Sequence, residues 1–176
     1  VRGNALSIAF GRLCLRMFGW RIEGEFPNRP KIMIAVAPHT SNLDFIIAMA
    51  AILALRVRVS FLAKHSLFSF PLGKLMVALG GIPVNRESPQ GMVGQMVEQF
   101  NSHSQFITGI APEGTRGDVT QWKRGFAVIA NAVDIPVLPV ILDYKAKVIR
   151  IEPAFTVVDV EQTIAAVQAH VSARVK

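Results

Sequence analysis

His39 and Asp44 are the two residues of this chain whose types and spacing most directly suggest chemistry. A neutral imidazole can take a proton from a hydroxyl, while a carboxylate fixes its tautomer and stabilises the imidazolium that forms. On a single helix, residues five apart point about 140° away from each other. The pair therefore meets only if His39 lies in a loop and Asp44 in the first turn of the helix that follows. A local reading competes: Ser41 caps that helix, and Asp44 at its third position completes a capping box and favours the helix dipole. The two readings are compatible, because a capped first turn also holds Asp44 still.

Two further polar clusters follow along the chain. Gly80-Gly81-Ile82-Pro83-Val84-Asn85-Arg86 combines glycines that permit close backbone approach with an arginine able to hold a phosphate in a bidentate fork. The same arginine also reads as an ordinary surface residue after a turn. Pro112-Glu113-Gly114-Thr115-Arg116-Gly117 places a carboxylate, a hydroxyl, a cation and two glycines after an apolar stretch. Such local departures from stability concentrate at functional sites. Here Arg116 reads as a second phosphate ligand and Glu113 as a loop-fixing carboxylate, against a plain Glu113–Arg116 ion pair in a turn. Lys64 and the run Gln121-Trp122-Lys123-Arg124-Gly125 supply further cations, the latter equally readable as a solvated helix start. His65, His103 and His170 have no ligand-like spacing, and no metal site is read. Neither a Gly-x-Ser-x-Gly elbow nor a Walker-type loop occurs, which argues against an α/β-hydrolase and a P-loop nucleotidase.

The elements that must carry these clusters alternate. A helix over 4–18 precedes a short strand over 20–25. Lys31–Ala37 is a continuous apolar run and reads as a buried strand. Further strands are expected at 57–63, 82–84, 105–111, 135–142 and 148–151. Helices are expected at 45–55, at 67–79 after Pro71, and at 91–102, 123–132 and 160–175. Strand alternating with helix predicts an α/β fold, a largely parallel sheet flanked by helices. In such sheets ligands bind at the carboxyl ends of the strands. The polar clusters fall there.

The chain has 176 residues, enough for one domain with a real core. It is 51% hydrophobic and 18% charged, which excludes a disordered chain. Its single cysteine, Cys14, excludes an internal disulfide framework and any CxxC site. The net charge of +7 with a mean hydropathy of +0.39 points to an anionic, apolar partner, lipid before nucleic acid. One Tyr and two Trp are thin for base stacking, so no nucleic-acid partner is expected. No run of eighteen apolar residues occurs, so no transmembrane helix is expected. In the first helix Leu6, Phe10, Leu13 and Met17 form one stripe, and Ile8, Leu15 and Phe18 extend the apolar surface. Such a helix needs a protein partner or a bilayer. It lacks a signal-peptide cleavage site. Residues 1–20 are thus read as an apolar, interfacial helix and 21–176 as a single catalytic domain. The chain begins with Val, which leaves an upstream anchor open.

Together the clusters resemble the glycerolipid acyltransferase family, to which the lysophosphatidic acid acyltransferases belong. Its His-x4-Asp motif corresponds to His39–Asp44, and its second motif to Gly81–Arg86. Pro112–Arg116 supplies its Pro-Glu-Gly-Thr-Arg motif, and Ile135-Pro136-Val137-Leu138-Pro139 its proline in an apolar strand. The resemblance implies that His39 is the general base and that Asp44 orients it. It implies that the acceptor and its phosphate are held by Arg86, Glu113, Gly114, Thr115 and Arg116, with Lys64, Gly81 and Lys123 as further contributors. It implies a lysophospholipid acceptor, acyl-CoA or acyl-carrier protein as donor, no cofactor, and a peripheral place on the cytoplasmic face of a membrane, such as a bacterial inner membrane. Asn85 stands where acidic residues are common and Val84 where aromatics are, so other acceptors, such as lyso-ornithine lipid or glycerol phosphate, stay open. A non-catalytic lipid-binding module of the same fold is the alternative from another class.

Overall fold

The structure, a computed structural model, describes residues 3–71, 73–84, 91–114 and 122–174, the side chains of Lys64 and Leu67 excepted. In chain order the elements are α1 (Ala5–Met17), β1 (Arg21–Glu23), β2 (Lys31–Ala37), α2 (Leu43–Leu55) and β3 (Ser60–Lys64). A 3-10 turn (His65–Phe68) leads to α3 (Gly73–Leu79), β4 (Gly81–Val84), α4 (Gly91–Ser102) and β5 (Phe106–Ile110). The chain continues through α5 (Gly125–Ala132), β6 (Val137–Asp143), β7 (Val148–Ile151) and α6 (Val160–Arg174). No helix among the described residues is long and apolar enough to cross a membrane.

The strands form one seven-stranded sheet in the order β1-β7-β6-β2-β5-β3-β4. Every pairing is parallel except β6 with β7. The expected α/β fold with a largely parallel sheet is therefore present. β2 is central, and its unbroken apolar sequence serves two faces at once. Met33 and Ala35 join Met96 and Phe100 of α4, Phe126 and Ile129 of α5, and Ile164 and Val167 of α6. Ile32 and Ile34 point the other way, toward Ile52 and Leu55 of α2.

α1 starts with a reciprocal cap, in which the Ser7 N–H donates to Asn4 Oδ1 and the Asn4 N–H to Ser7 Oγ. Gly11 lets it lie close on α2, since a Cβ there would sit 2.6 Å from the Ala50 carbonyl oxygen. Leu15 is buried on the same side, while the stripe Leu6, Phe10, Leu13 and Met17 faces outward. α1 thus has a protein-packed face and an exposed apolar face.

Several element ends differ from the sequence reading by one to three residues. β3 begins at Ser60, not Val57, because its ladder to β5 starts at the Ser60–Thr108 pair. Val59 is buried without belonging to that ladder. The helix expected within 67–79 after Pro71 is α3, and the 3-10 turn before it was not foreseen. α2 is capped at Asn42 rather than Ser41, and the Asn42 side chain makes no cap bond.

Candidate active site

β2 is flanked by β5 and β6, both parallel to it, so the three carboxyl ends share one edge. Ala35 is level with Ile110, and Ala37 with Ile141. The loops that follow must therefore meet: residues 38–42 after β2, 111–114 after β5 and Tyr144 after β6. His39 lies in the first loop and Asp44 in the first turn of α2, the arrangement their spacing required.

His39 Nδ1 is 3.0 Å from Asp44 Oδ2. The same oxygen accepts the N–H groups of Thr40 at 2.6 Å and Ser41 at 2.9 Å. The hydroxyl of Tyr144 donates to the other oxygen, Oδ1. Ser41 Oγ lies 3.4 Å from Oδ1 and accepts the N–H of Leu43 at 3.1 Å. The carboxylate of Asp44 thus turns back onto the loop that carries His39. Burial would push that carboxyl up, but the Ser41 N–H, the Tyr144 hydroxyl, the Thr40 N–H and the neighbouring His39 together hold it below the ordinary aspartate range. Burial, and then Asp44 itself, push the Tyr144 phenol up, so it stays a donor. An ionised carboxylate only accepts. Nδ1 of His39 must then carry a proton, which leaves the lone pair on Nε2.

Glu113 is buried, and its Oε2 accepts the His39 N–H at 2.7 Å. It joins the loop after β5 to the loop after β2. Gly114 has φ +71°, where a side chain is strained, and the stem of Lys123 lies across it, with Cγ 2.9 Å from where a Cβ would be. The Lys123 N–H bonds the Pro112 carbonyl at 2.6 Å, which brings Lys123 to the same edge. Its neighbour Arg124 is instead engaged by Glu161 at 2.6 Å. Lys64 closes β3 beside Val84, and its side chain lies outside the described residues, as do Asn85, Arg86, Thr115 and Arg116. Gly81 opens β4, at the far end from this edge. The rings of Phe61 and Phe68 and the Met76 carbonyl close on it, so close packing accounts for the glycine there.

An apolar cavity of about 310 Å³ runs between α2 and the sheet, with Val36, Met49, Ile52, Gly109 and Val140 among its walls. Among the described residues that line it, only His39 and Asp44 are polar. The α2 residues along it run from Asp44 to Leu55, a length of about 16 Å.

The sequence reading did not include Tyr144. The chain's single tyrosine, directly after a buried strand, was the available signal. Its ring stands edge-on to Trp20 at 5.0 Å, and Lys147 Nζ lies over both rings.

A parallel α/β sheet that opens an apolar cavity onto an imidazole–carboxylate pair suits an enzyme working on an apolar group. Residues 21–143 match the family model described as Acyltransferase, and the chain belongs to that family. A 1-acyl-sn-glycerol-3-phosphate acyltransferase of Cocos nucifera is 28% identical over 167 residues, 87% of this chain and 53% of the relative. The protein of that name in Limnanthes alba is 28% identical over 149 residues, 80% of this chain and 51% of the relative. The chain spans about half the length of these curated relatives. The crystal structure of the 1-acyl-sn-glycerophosphate (LPA) acyltransferase PlsC from Thermotoga maritima has the same fold, with a TM-score of 0.69 at 20% identity over 94% of this chain and 75% of that one.

Proposed function

We propose that the protein is a 1-acyl-sn-glycerol-3-phosphate O-acyltransferase, which moves an acyl group from acyl-CoA or acyl-carrier protein to the free hydroxyl of a lysophospholipid. The observation that carries this reading is the cavity whose only polar lining residues, among those described, are His39 and Asp44. An acyl chain in that cavity would bring its thioester to the imidazole. His39 Nε2 takes the proton of the acceptor hydroxyl, and the oxygen attacks the thioester carbonyl. The tetrahedral intermediate then expels the thiolate, which receives the proton from the imidazolium. Asp44 stabilises that imidazolium and fixes the tautomer. The products are a diacylated phospholipid and a free thiol, with no covalent acyl-enzyme and no cofactor.

The acceptor phosphate is assigned to Arg86 and Arg116, with Glu113, Gly114 and Thr115 forming the loop around it and Lys64 and Lys123 as further contributors. This rests on the motifs and on the names of the relatives. The exposed apolar stripe of α1 supports peripheral attachment to a membrane, assigned to its cytoplasmic face. Residues 21–176 are read as one catalytic unit behind that helix.

A panel of acceptors tests the reading. Lysophosphatidic acid, lyso-ornithine lipid and glycerol phosphate are each offered with acyl-CoA or acyl-carrier protein. Lysophosphatidic acid is expected to turn over fastest, and Arg86→Ala to raise its KM without affecting phosphate-free acceptors. Preference for a phosphate-free lysolipid would overturn the acceptor assignment but leave the reaction intact. Lipid binding with no transfer from any donor would favour a non-catalytic module.

A further inference from the structure

Ten of the eleven large apolar side chains left exposed among the described residues lie in two segments, 1–22 and 45–86. Those segments contain no Asp or Glu, although the chain has 12, and they hold nine of its 19 Lys and Arg. One group of exposed side chains is the outer face of α1. A second lies beyond β3, where Phe70 is 98% exposed, Leu75 51% and Val77 63%, with exposed Lys74 among them. Exposed apolar groups gathered in this way mark a surface that meets something else.

Contacts connect the second group to the cavity. Phe45 lines the cavity and meets Phe61 edge-on at 5.0 Å. Phe61 and Phe68 close together on Gly81, within 3.2 Å of where its Cβ would stand. Phe70 follows two residues later. On its other side α2 carries α1 through Ala50 and Ala54. Apolar contacts therefore run from α1 across α2 and the cavity rim to Phe68, and Phe70 stands exposed two residues beyond.

We propose that Phe70, Lys74, Leu75 and Val77 form a second bilayer-docking element, which seats on an anionic lipid surface beside the cavity rim and adds to the hold of α1. The proposal rests on the reading of the acceptor as a lipid. Charge selects the occupant. Within Phe70–Val77 the one charged residue is Lys74, and exposed apolar side chains beside a cation, with no acid in the segment, suit an anionic headgroup layer, which attracts the cation while its interior takes up the apolar groups. A bilayer also needs no matching shape, so separate elements can enter it together.

The test is flotation with phosphatidylcholine vesicles, with and without phosphatidylglycerol. It compares wild type, the double variant Phe70→Ser/Val77→Ser, the α1 variant Leu6→Ser/Phe10→Ser, and all four substitutions combined. Circular dichroism checks that each is folded, and sedimentation gives the oligomeric state. Transfer between short-chain, monomeric substrates is measured alongside. The Phe70→Ser/Val77→Ser protein is expected to lose about tenfold in partitioning onto anionic vesicles, and the combined variant to lose more than either pair alone. Activity on monomeric substrates should stay at the wild-type level, and salt should weaken binding to anionic vesicles. Unchanged partitioning of the folded Phe70→Ser/Val77→Ser protein would overturn the proposal. So would the same variant splitting a dimer while still floating as wild type does, which would make the patch a contact between two copies. Absence of monomeric transfer in wild type would count against the acyltransferase reading and leave the flotation result to be judged alone.

Discussion

Tyr144 and Asp44, one hundred residues apart in sequence, are joined by a hydrogen bond from the tyrosine hydroxyl to Oδ1 of the carboxylate. This leaves Oδ2 to receive the Thr40 and Ser41 N–H groups and to face His39 Nδ1. Tyr144 is therefore a positioning residue for the pair. Tyr144→Phe keeps the ring against Trp20 and removes only the donor. A hydrogen bond to a charged group contributes about 1.5–3 kcal/mol, so kcat should fall by about tenfold or more while KM for both substrates holds. Steady-state kinetics of the variant check this, and an unchanged kcat would remove Tyr144 from the account.

The same contact has a consequence for acid stability. The Asp44 and Asp143 carboxyls are both held below the ordinary range, Asp143 chiefly by the Ala146 N–H and also by Arg150. The stabilisation from a depressed carboxyl is complete above its unfolded value, about pH 4, and is lost as pH falls through the lower folded value. Acid unfolding should therefore develop below about pH 4. Tyr144→Phe removes one donor from Asp44 and should shift the unfolding midpoint to higher pH. Far-ultraviolet circular dichroism against pH measures both midpoints, and identical curves would contradict the linkage.

Glu113 acts on the backbone of the loop that carries His39. Glu113→Ala should cost about 1–3 kcal/mol of stability by leaving buried partners unsatisfied, and should lower kcat because the imidazole is no longer held. Glu113→Gln keeps an acceptor and should lose less of both. Urea unfolding and kinetics of the two variants separate these outcomes. Equal losses in Ala and Gln would mean that the negative charge matters more than the hydrogen bond.

Gly109 lines the cavity, and among the described residues a Cβ built on it meets only Val59 Cγ1, at 3.7 Å. Gly109→Leu should therefore reach past that contact into the cavity and shorten it. Transfer from long-chain donors should fall while transfer from short-chain donors is kept. A panel of acyl-CoA chain lengths reads this directly. A uniform loss across the panel would indicate that the acyl chain lies elsewhere.

Elements that announce themselves locally were legible in the sequence. The apolar run of β2, the apolar segment of α2 and the alternation that yields a parallel sheet all follow from composition and period over short windows. The approach of His39 to Asp44 was legible too, because loop then helix is the one geometry that their spacing allows. Partners set by sheet order were not legible. Tyr144 reaches Asp44 only because β6 lies beside β2, and Glu113 reaches His39 only because β5 lies on the other side. The cavity was hidden for the same reason, since its walls come from strands and helices spread over much of the chain. The start of β3 was misjudged because the β-branched residues Val57 and Val59 favour extended backbone, whereas the ladder depends on where β5 offers partners.

The central claim is that His39 removes the acceptor proton for transfer from a thioester. The most direct measurement incubates wild type and His39→Ala with lysophosphatidic acid and palmitoyl-CoA in mixed micelles, following free CoA thiol and phosphatidic acid together. Wild type is expected to yield equal amounts of both products, and the folded variant a rate about 10²–10⁴-fold lower. Transfer by His39→Ala at the wild-type rate would contradict it.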